Sequence, residues 1–138
     1  MDRLLGYVAG PYSSLADSAS LLAKRTYAAM DVGGLLWNAG AYPLVPLLTH
    51  FLEGRWRKQR IANTTSSDWY DYDRRLLEMC DFVLLLPDWR MSYGCRLEHT
   101  LAEELGLPIF EMETLDKLPN DLLKWLNIMS IVRRLNVR

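Results

Sequence analysis

The chain has 138 residues, half of them hydrophobic and 24% charged, with 16 basic against 17 acidic side chains and a formal charge of −1. This length suits a single domain (1–138), and the composition excludes disorder, a collagen-like repeat and a coiled-coil rod. The near-neutral balance excludes a global pull toward nucleic acid or anionic membrane. Cys80 and Cys95 are too few for a disulfide-built secreted scaffold, and the apolar run after Met1-Asp2-Arg3 is too short for a signal peptide or span, so a cytoplasmic protein is expected.

Leu4 to Ala9 is a short apolar run stopped by Gly10-Pro11, which reads as a buried strand. Ser14-Leu15-Ala16-Asp17 fits a capping box for a helix running to about Asn38, with Gly40 as its left-handed cap. Gly33-Gly34 mark either close packing or a kink in that helix. Tyr42 to Val45 is a second strand, Leu47 to Gly54 a helical turn, and Arg55 to Ser67 a polar, mobile loop. A helix from Ser67 through Cys80 leads into Asp81 to Leu86, the clearest strand, apolar on both faces and stopped by Pro87. Tyr93 to Leu105 is a helix closed by Gly106, Pro108-Ile109-Phe110 opens another strand, and Leu122 to Leu135 is an amphipathic helix.

Strands alternating with helices imply right-handed crossovers and an α/β fold: a doubly wound, Rossmann- or flavodoxin-like parallel sheet of four or five strands. Ligands of such sheets bind beyond the strand carboxyl ends, where strand order reverses. Gly10 to Ser14 and Pro87 to Ser92 are the loops placed for that crevice. Gly10, Pro11, Tyr12 and Ser13 are therefore candidate ligand contacts, with Asp88 and Trp89 at the mouth, where Trp89 either stacks on a base or serves as an aromatic plug.

Helical geometry singles out two acids. At about 100° per residue, Gly94, Leu97, Leu101, Ala102 and Leu105 share one side of their helix, and Glu98 projects into the middle of that arc. Trp69, Tyr70, Leu76, Leu77 and Cys80 form a second arc with Asp73 near its centre. Both acids fall in the first two turns of helices that start near the strand carboxyl ends, so both should project into the crevice. An acid in an apolar stripe must be paired, hydrogen-bonded or protonated. Two converging carboxyls are the minimum equipment for glycosyl transfer. The plainer alternative is that first-turn acids simply complement the helix dipole.

Tyr7-Val8-Ala9-Gly10-Pro11-Tyr12, Asp73, Asp81-Phe82-Val83 and Ser92-Tyr93-Gly94-Cys95-Arg96-Leu97-Glu98 together resemble the nucleoside 2-deoxyribosyltransferase superfamily. The closer likeness is to its nucleoside 5′-monophosphate N-glycosidase branch and small phage and bacterial relatives. The Ser-x-Gly-x-x-x-Glu spacing is the most specific element. The resemblance implies a glutamate nucleophile at Glu98 and a proton-handling acid at Asp73, eight residues before Asp81. It implies that Tyr7 lies near the sugar and the acid, that Ser92 and the amides around Gly94 hold phosphate, and that His50 contacts the base region. Two departures stand out: Thr100 occupies a frequent glycine, and Ser13 stands where the glycosidase branch carries arginine. The basic Arg55–Arg60 segment, with Trp56 embedded, is a replacement for that charge, a nucleic-acid contact or, as the plainer reading, a solvated loop or helix face.

The function expected is thus cleavage of the N-glycosidic bond of a nucleoside 5′-monophosphate or nucleoside, by hydrolysis or transfer, through a covalent ribosyl ester on Glu98. The partner is a small nucleotide or nucleoside, with no nucleic acid and no membrane. The rivals are a non-catalytic nucleotide-binding or sensing module, and a structural domain in which both acids merely cap and pair. His50, His99, Cys80 and Cys95 lack metal-ligand spacing, so neither metal nor other cofactor is expected. His99 is expected to face outward, and Cys95 to be buried packing. The last helix covers the sheet or forms a dimer seam; the resembling enzymes commonly complete their pockets across a subunit interface, which leaves a homodimer or higher homo-oligomer open beside a monomer.

Overall fold

The computed structural model describes residues 3–11 and 19–136, apart from the side chains of Ala19 and His50. Four strands, β1 (Leu5–Ala9), β2 (Tyr42–Leu44), β3 (Phe82–Leu85) and β4 (Ile109–Glu111), pair in parallel in the order β2-β1-β3-β4. Helix α1 (Ala19–Asn38) joins β1 to β2, and α2 (Thr49–Lys58) and α3 (Ser66–Glu78) join β2 to β3. Helix α4 (Tyr93–Glu104) joins β3 to β4, and α5 (Asn120–Asn136) follows β4. Short 3-10 turns at Pro46–Leu48 and Trp89–Met91 precede α2 and α4. The α/β arrangement is the Rossmann-like one expected, with four strands.

Alternation along the strands builds two cores. Val8, Phe82, Leu84 and Phe110 face α1 and α5, where they meet Ala29, Val32, Leu36, Leu122 and Leu126. Tyr7, Ala9, Val83 and Leu85 face the opposite side, against Leu77, Cys80, Cys95 and Ala102 of the α3–α4 layer. Helices on both faces explain why β3 is apolar throughout and buried at all four positions. Asp81 ties the layers together: the Leu5 amide donates to its Oδ2 at 2.7 Å, and Arg133 of α5 approaches its Oδ1 at 3.4 Å.

Gly40 and Gly106 close α1 and α4 with φ of +90° and +70°, a conformation that disfavours side chains. Gly33 lies against Pro43 and Val45, so close packing against β2 accounts for that glycine. The proposed capping box at Ser14–Asp17 lies outside the described residues. Helix α3 starts with a real one: Thr65 Oγ1 accepts from the Asp68 amide, and the Thr65 amide donates to Asp68 Oδ2.

The segment expected as a polar loop is corrected at both ends, because α2 continues to Lys58 and α3 begins at Ser66. Arginine, lysine and glutamate favour helix intrinsically, and a mostly solvated helix needs no apolar stripe to announce it. Likewise Leu105, placed on the inner arc of α4, is 43% exposed, because the helix has ended before it. No described helix is long and apolar enough to cross a membrane.

Candidate functional site

From β1 the chain crosses outward to β2 on one side of the sheet, and from β3 it crosses to β4 on the other. The adjacent carboxyl ends of β1 and β3 are therefore the point where connections diverge and a crevice opens. A cavity of about 50 Å³ sits there. Its floor is Val8, Ala9 and Gly10 at the end of β1, and one wall is Pro46, Leu47 and Thr49. Asp73 of α3 and Glu98 of α4 complete it, so two helices separate in sequence bring both carboxylates to one space. A Cβ on Gly10 would lie 3.0 Å from Leu86 Cδ2 and 3.3 Å from Leu47 Cδ1, so the bare backbone lets these walls close. The volume accommodates one or two waters, or the reacting atoms of a larger ligand.

The site's electrostatics follow from burial. Asp73 and Glu98 are half-buried, and loss of solvation pushes Asp73 up to about 7 and Glu98 up to about 8. For Glu98 two smaller effects oppose each other: Tyr7 favours the charged form, and the neighbouring Asp73 carboxylate disfavours it. Tyr7 is fully buried on β1 and its phenol is pushed well above the ordinary range, mostly by burial and then by Glu98. Among the described residues its hydroxyl meets no partner at good hydrogen-bond geometry, nor does Asp73 Oδ1. The Tyr7–Glu98 contact thus falls short of a well-formed hydrogen bond, although the two groups clearly influence each other. Two unpartnered buried polar atoms beside a small cavity are costly in a fold that is otherwise well satisfied.

The remaining expected residues divide. Ser92 is buried and caps α4, its Oγ accepting from the Cys95 amide at 3.3 Å, and Gly94 lies in the first turn of α4. Pro11 is half-buried directly after the cavity floor. His50 lies in the first turn of α2. Its side chain, like Tyr12 and Ser13 entire, lies outside the described residues.

Asp88 and Trp89 do not line the cavity. Asp88 adopts a left-handed conformation (φ 66°) that turns the chain into the 3-10 segment, and it is exposed. Trp89 is a plug: its ring stacks on His99 at 4.6 Å and its Nε1 donates to Glu111 Oε1 at 2.8 Å. That stacking also corrects His99, which is half-buried against Trp89 rather than facing freely outward. Cys95 and Cys80 are buried packing residues, each thiol pushed up to about 12 chiefly by burial.

Sequence reasoning missed Pro46, Leu47 and Thr49 as site walls, although they follow the carboxyl end of β2 and the same crevice rule reaches them. Pro46 and Thr49 also border an apolar groove of about 740 Å³ between α1, β2 and α3. Tyr70 of the apolar arc and Tyr93 of the Ser92–Glu98 motif stand together, in the second turn of α3 and at the first residue of α4. Among the described residues no group of three His, Cys, Asp or Glu side chains is placed to hold a metal ion.

Residues 52–111 match a protein-family model described as Domain of unknown function (DUF4406). The matched stretch runs from α2 through β4 and carries Asp73, Asp81, Ser92, Gly94 and Glu98, but not β1 with Tyr7 and Gly10. It spans under half of the chain. A search of curated proteins finds no match.

Proposed function

We propose that this chain cleaves the N-glycosidic bond of a nucleoside 5′-monophosphate or nucleoside. The observation that carries this reading is the meeting of Asp73 and Glu98, both raised toward neutrality by burial, in one cavity at the β1–β3 switch point. The resemblance of the Ser92–Glu98 and Tyr7–Pro11 segments to the nucleoside 2-deoxyribosyltransferase superfamily supplies the substrate class.

The chemistry follows from proton arithmetic. Glu98, ionised, attacks the anomeric carbon and forms a carbon–oxygen ester bond as the carbon–nitrogen bond breaks. The bonding pair leaves on the base nitrogen, which takes a proton from Asp73. Ionised Asp73 then takes a proton from water as its oxygen attacks the same carbon, releasing the sugar and regenerating both carboxyls. A second base in place of water gives transfer instead of hydrolysis.

The reaction needs one proton on the pair, located on Asp73. The pair titrates near 7 and 8, so a one-proton state exists at neutral pH. With Glu98 the higher of the two, that proton rests mainly on Glu98, and the reaction draws on the minor form that carries it on Asp73. Positive charge developing on the sugar, and the Tyr7 hydroxyl rotating onto Glu98, both favour the ionised form of Glu98. The Ser92 hydroxyl and the first amides of α4 provide donors for a 5′-phosphate. Only the anomeric centre needs to reach the cavity; base and phosphate lie outward along the crevice.

The test is release of free base from a panel of ribo- and deoxyribonucleosides and their 5′-monophosphates. We expect release from at least one, abolished in Glu98→Gln with ligand binding retained. No release from any member, or unchanged release by Glu98→Gln, overturns the reading. Binding without release assigns the crevice to a nucleotide sensor.

A further inference from the structure

Outside the lining of the small cavity, two aromatic rings meet between α3 and α4. Tyr70 lies on α3 three residues before Asp73, the spacing that places side chains on one helix face. Tyr93 is the first residue of α4, directly after the Ser92 cap. Both helices start at the strand carboxyl edge, so these rings stand nearer the crevice mouth than the acids do. They meet edge to face at 6.1 Å and 72°, yet remain 36% and 61% exposed, so ring surface is left open to solvent. Gly94 faces the Tyr70 ring, with an added Cβ 3.8 Å from Tyr70 Cε1. Behind Tyr93, the Arg96 guanidinium lies 5.8 Å from the ring centroid and donates to the Arg90 carbonyl at 2.7 Å, which braces the outer ring.

The Tyr70 phenol is raised first by burial, then by Tyr93, and then by Glu98 and Asp73. Helix spacing sets the Tyr70 side chain one turn from Asp73, and the ring contact joins it to Tyr93 across the two helices.

We propose that Tyr70 and Tyr93 form the seat of the leaving base, a binding subsite in which a nucleobase stacks on an open tyrosine face and presents its glycosidic nitrogen to Asp73 one turn along α3. This inference rests on the glycosidic reading above and adds the residues that recognise the base. Stacking is sequence-tolerant because every base has a π-face, and it scales with ring area. The seat therefore accepts purines and pyrimidines alike and holds purines more tightly.

The experiment compares wild type with Tyr70→Leu, Tyr93→Leu and Tyr70→Phe. Each is given adenine and cytosine ribo- and deoxyribonucleoside 5′-monophosphates, with base release and calorimetric binding measured on the same preparations. We expect both leucine variants to raise KM and Kd by about 10- to 100-fold, more for adenine than for cytosine, with kcat within about 5-fold. Tyr70→Phe should stay close to wild type. Unchanged KM and Kd in both leucine variants overturn the seat while leaving the glycosidic reading intact. Binding by wild type without base release overturns the glycosidic reading, and the Kd comparison then decides the seat alone. Neither binding nor release by wild type overturns both. If Tyr70→Leu fails to fold, the more exposed Tyr93→Leu carries the comparison.

Discussion

Replacing Glu98 by glutamine should stabilise the protein at alkaline pH while abolishing the proposed base release. Burial raises the Glu98 carboxyl from 4.5 to about 8, so the native state keeps a proton that the unfolded chain has already released. Between those values each pH unit favours unfolding by about 1.4 kcal/mol. Stability linked to Glu98 is thus fully present below about pH 4.5, is lost as pH rises, and is flat again above about pH 8. Fully expressed, the shift is worth about 5 kcal/mol, but Glu98 is half-buried, and solvent screening reduces this to about 2–3 kcal/mol. Asp73, raised from 3.8 to about 7, adds a similar, smaller slope that the substitution leaves in place. Urea unfolding of wild type and Glu98→Gln at pH 4.5 and 8.5 measures the difference. We expect near-equal midpoints at pH 4.5 and a variant more stable by about 2–3 kcal/mol at pH 8.5. Parallel loss of stability in the two proteins would refute burial of an ionisable carboxyl as the source of strain.

Other expectations follow from the same geometry. Base release should follow a narrow bell in pH, with limbs near 7 and 8, because below it both carboxyls are protonated and above it both are ionised; kcat/KM against pH checks this, and a flat profile from pH 5 to 9 contradicts it. Tyr7→Phe removes a buried hydroxyl without a partner, so thermal stability should hold or rise by about 1 kcal/mol while base release drops by about 10-fold or more. Gly6→Ala would place a Cβ 2.2 Å from Phe82 Cζ, and we expect denaturant unfolding to show a loss of about 1–3 kcal/mol or more. Gly94→Ala meets only ordinary contacts, so it should stabilise α4 by up to about 1 kcal/mol; weakened nucleotide affinity in that stabler protein would locate the ligand against the Gly94 backbone.

The parts of this molecule legible in sequence are those where one residue's chemistry conflicts with its periodic surroundings. Asp73 and Glu98 interrupt apolar arcs, and that conflict pointed to the cavity they line. The β3 run is likewise unambiguous, because continuous apolar sequence bounded by Asp81 and Pro87 has few other uses. Trp89 is legible only as two alternatives, since a tryptophan after a strand reads the same whether it faces a ligand or plugs the fold, and the stack on His99 settles it as the plug. Asp88 depended on a single backbone angle that no pattern encodes. Tyr70 differs for the opposite reason: its place on an apolar arc predicts burial, yet it stays 36% exposed where it meets Tyr93. Helix α2 has too mixed a surface to declare itself, and its basic residues concealed good helix formers.

The most direct measurement is the rate of base release by Asp73→Asn, Glu98→Gln and the double variant, on whichever nucleotide the wild type cleaves fastest. Two acids acting on one bond should behave as a unit: each single change slows release by about 100-fold or more, and the double change costs little beyond the worse single one. Losses that multiply, or a single variant that keeps near-wild-type turnover, would mean that Asp73 and Glu98 do not share a reaction.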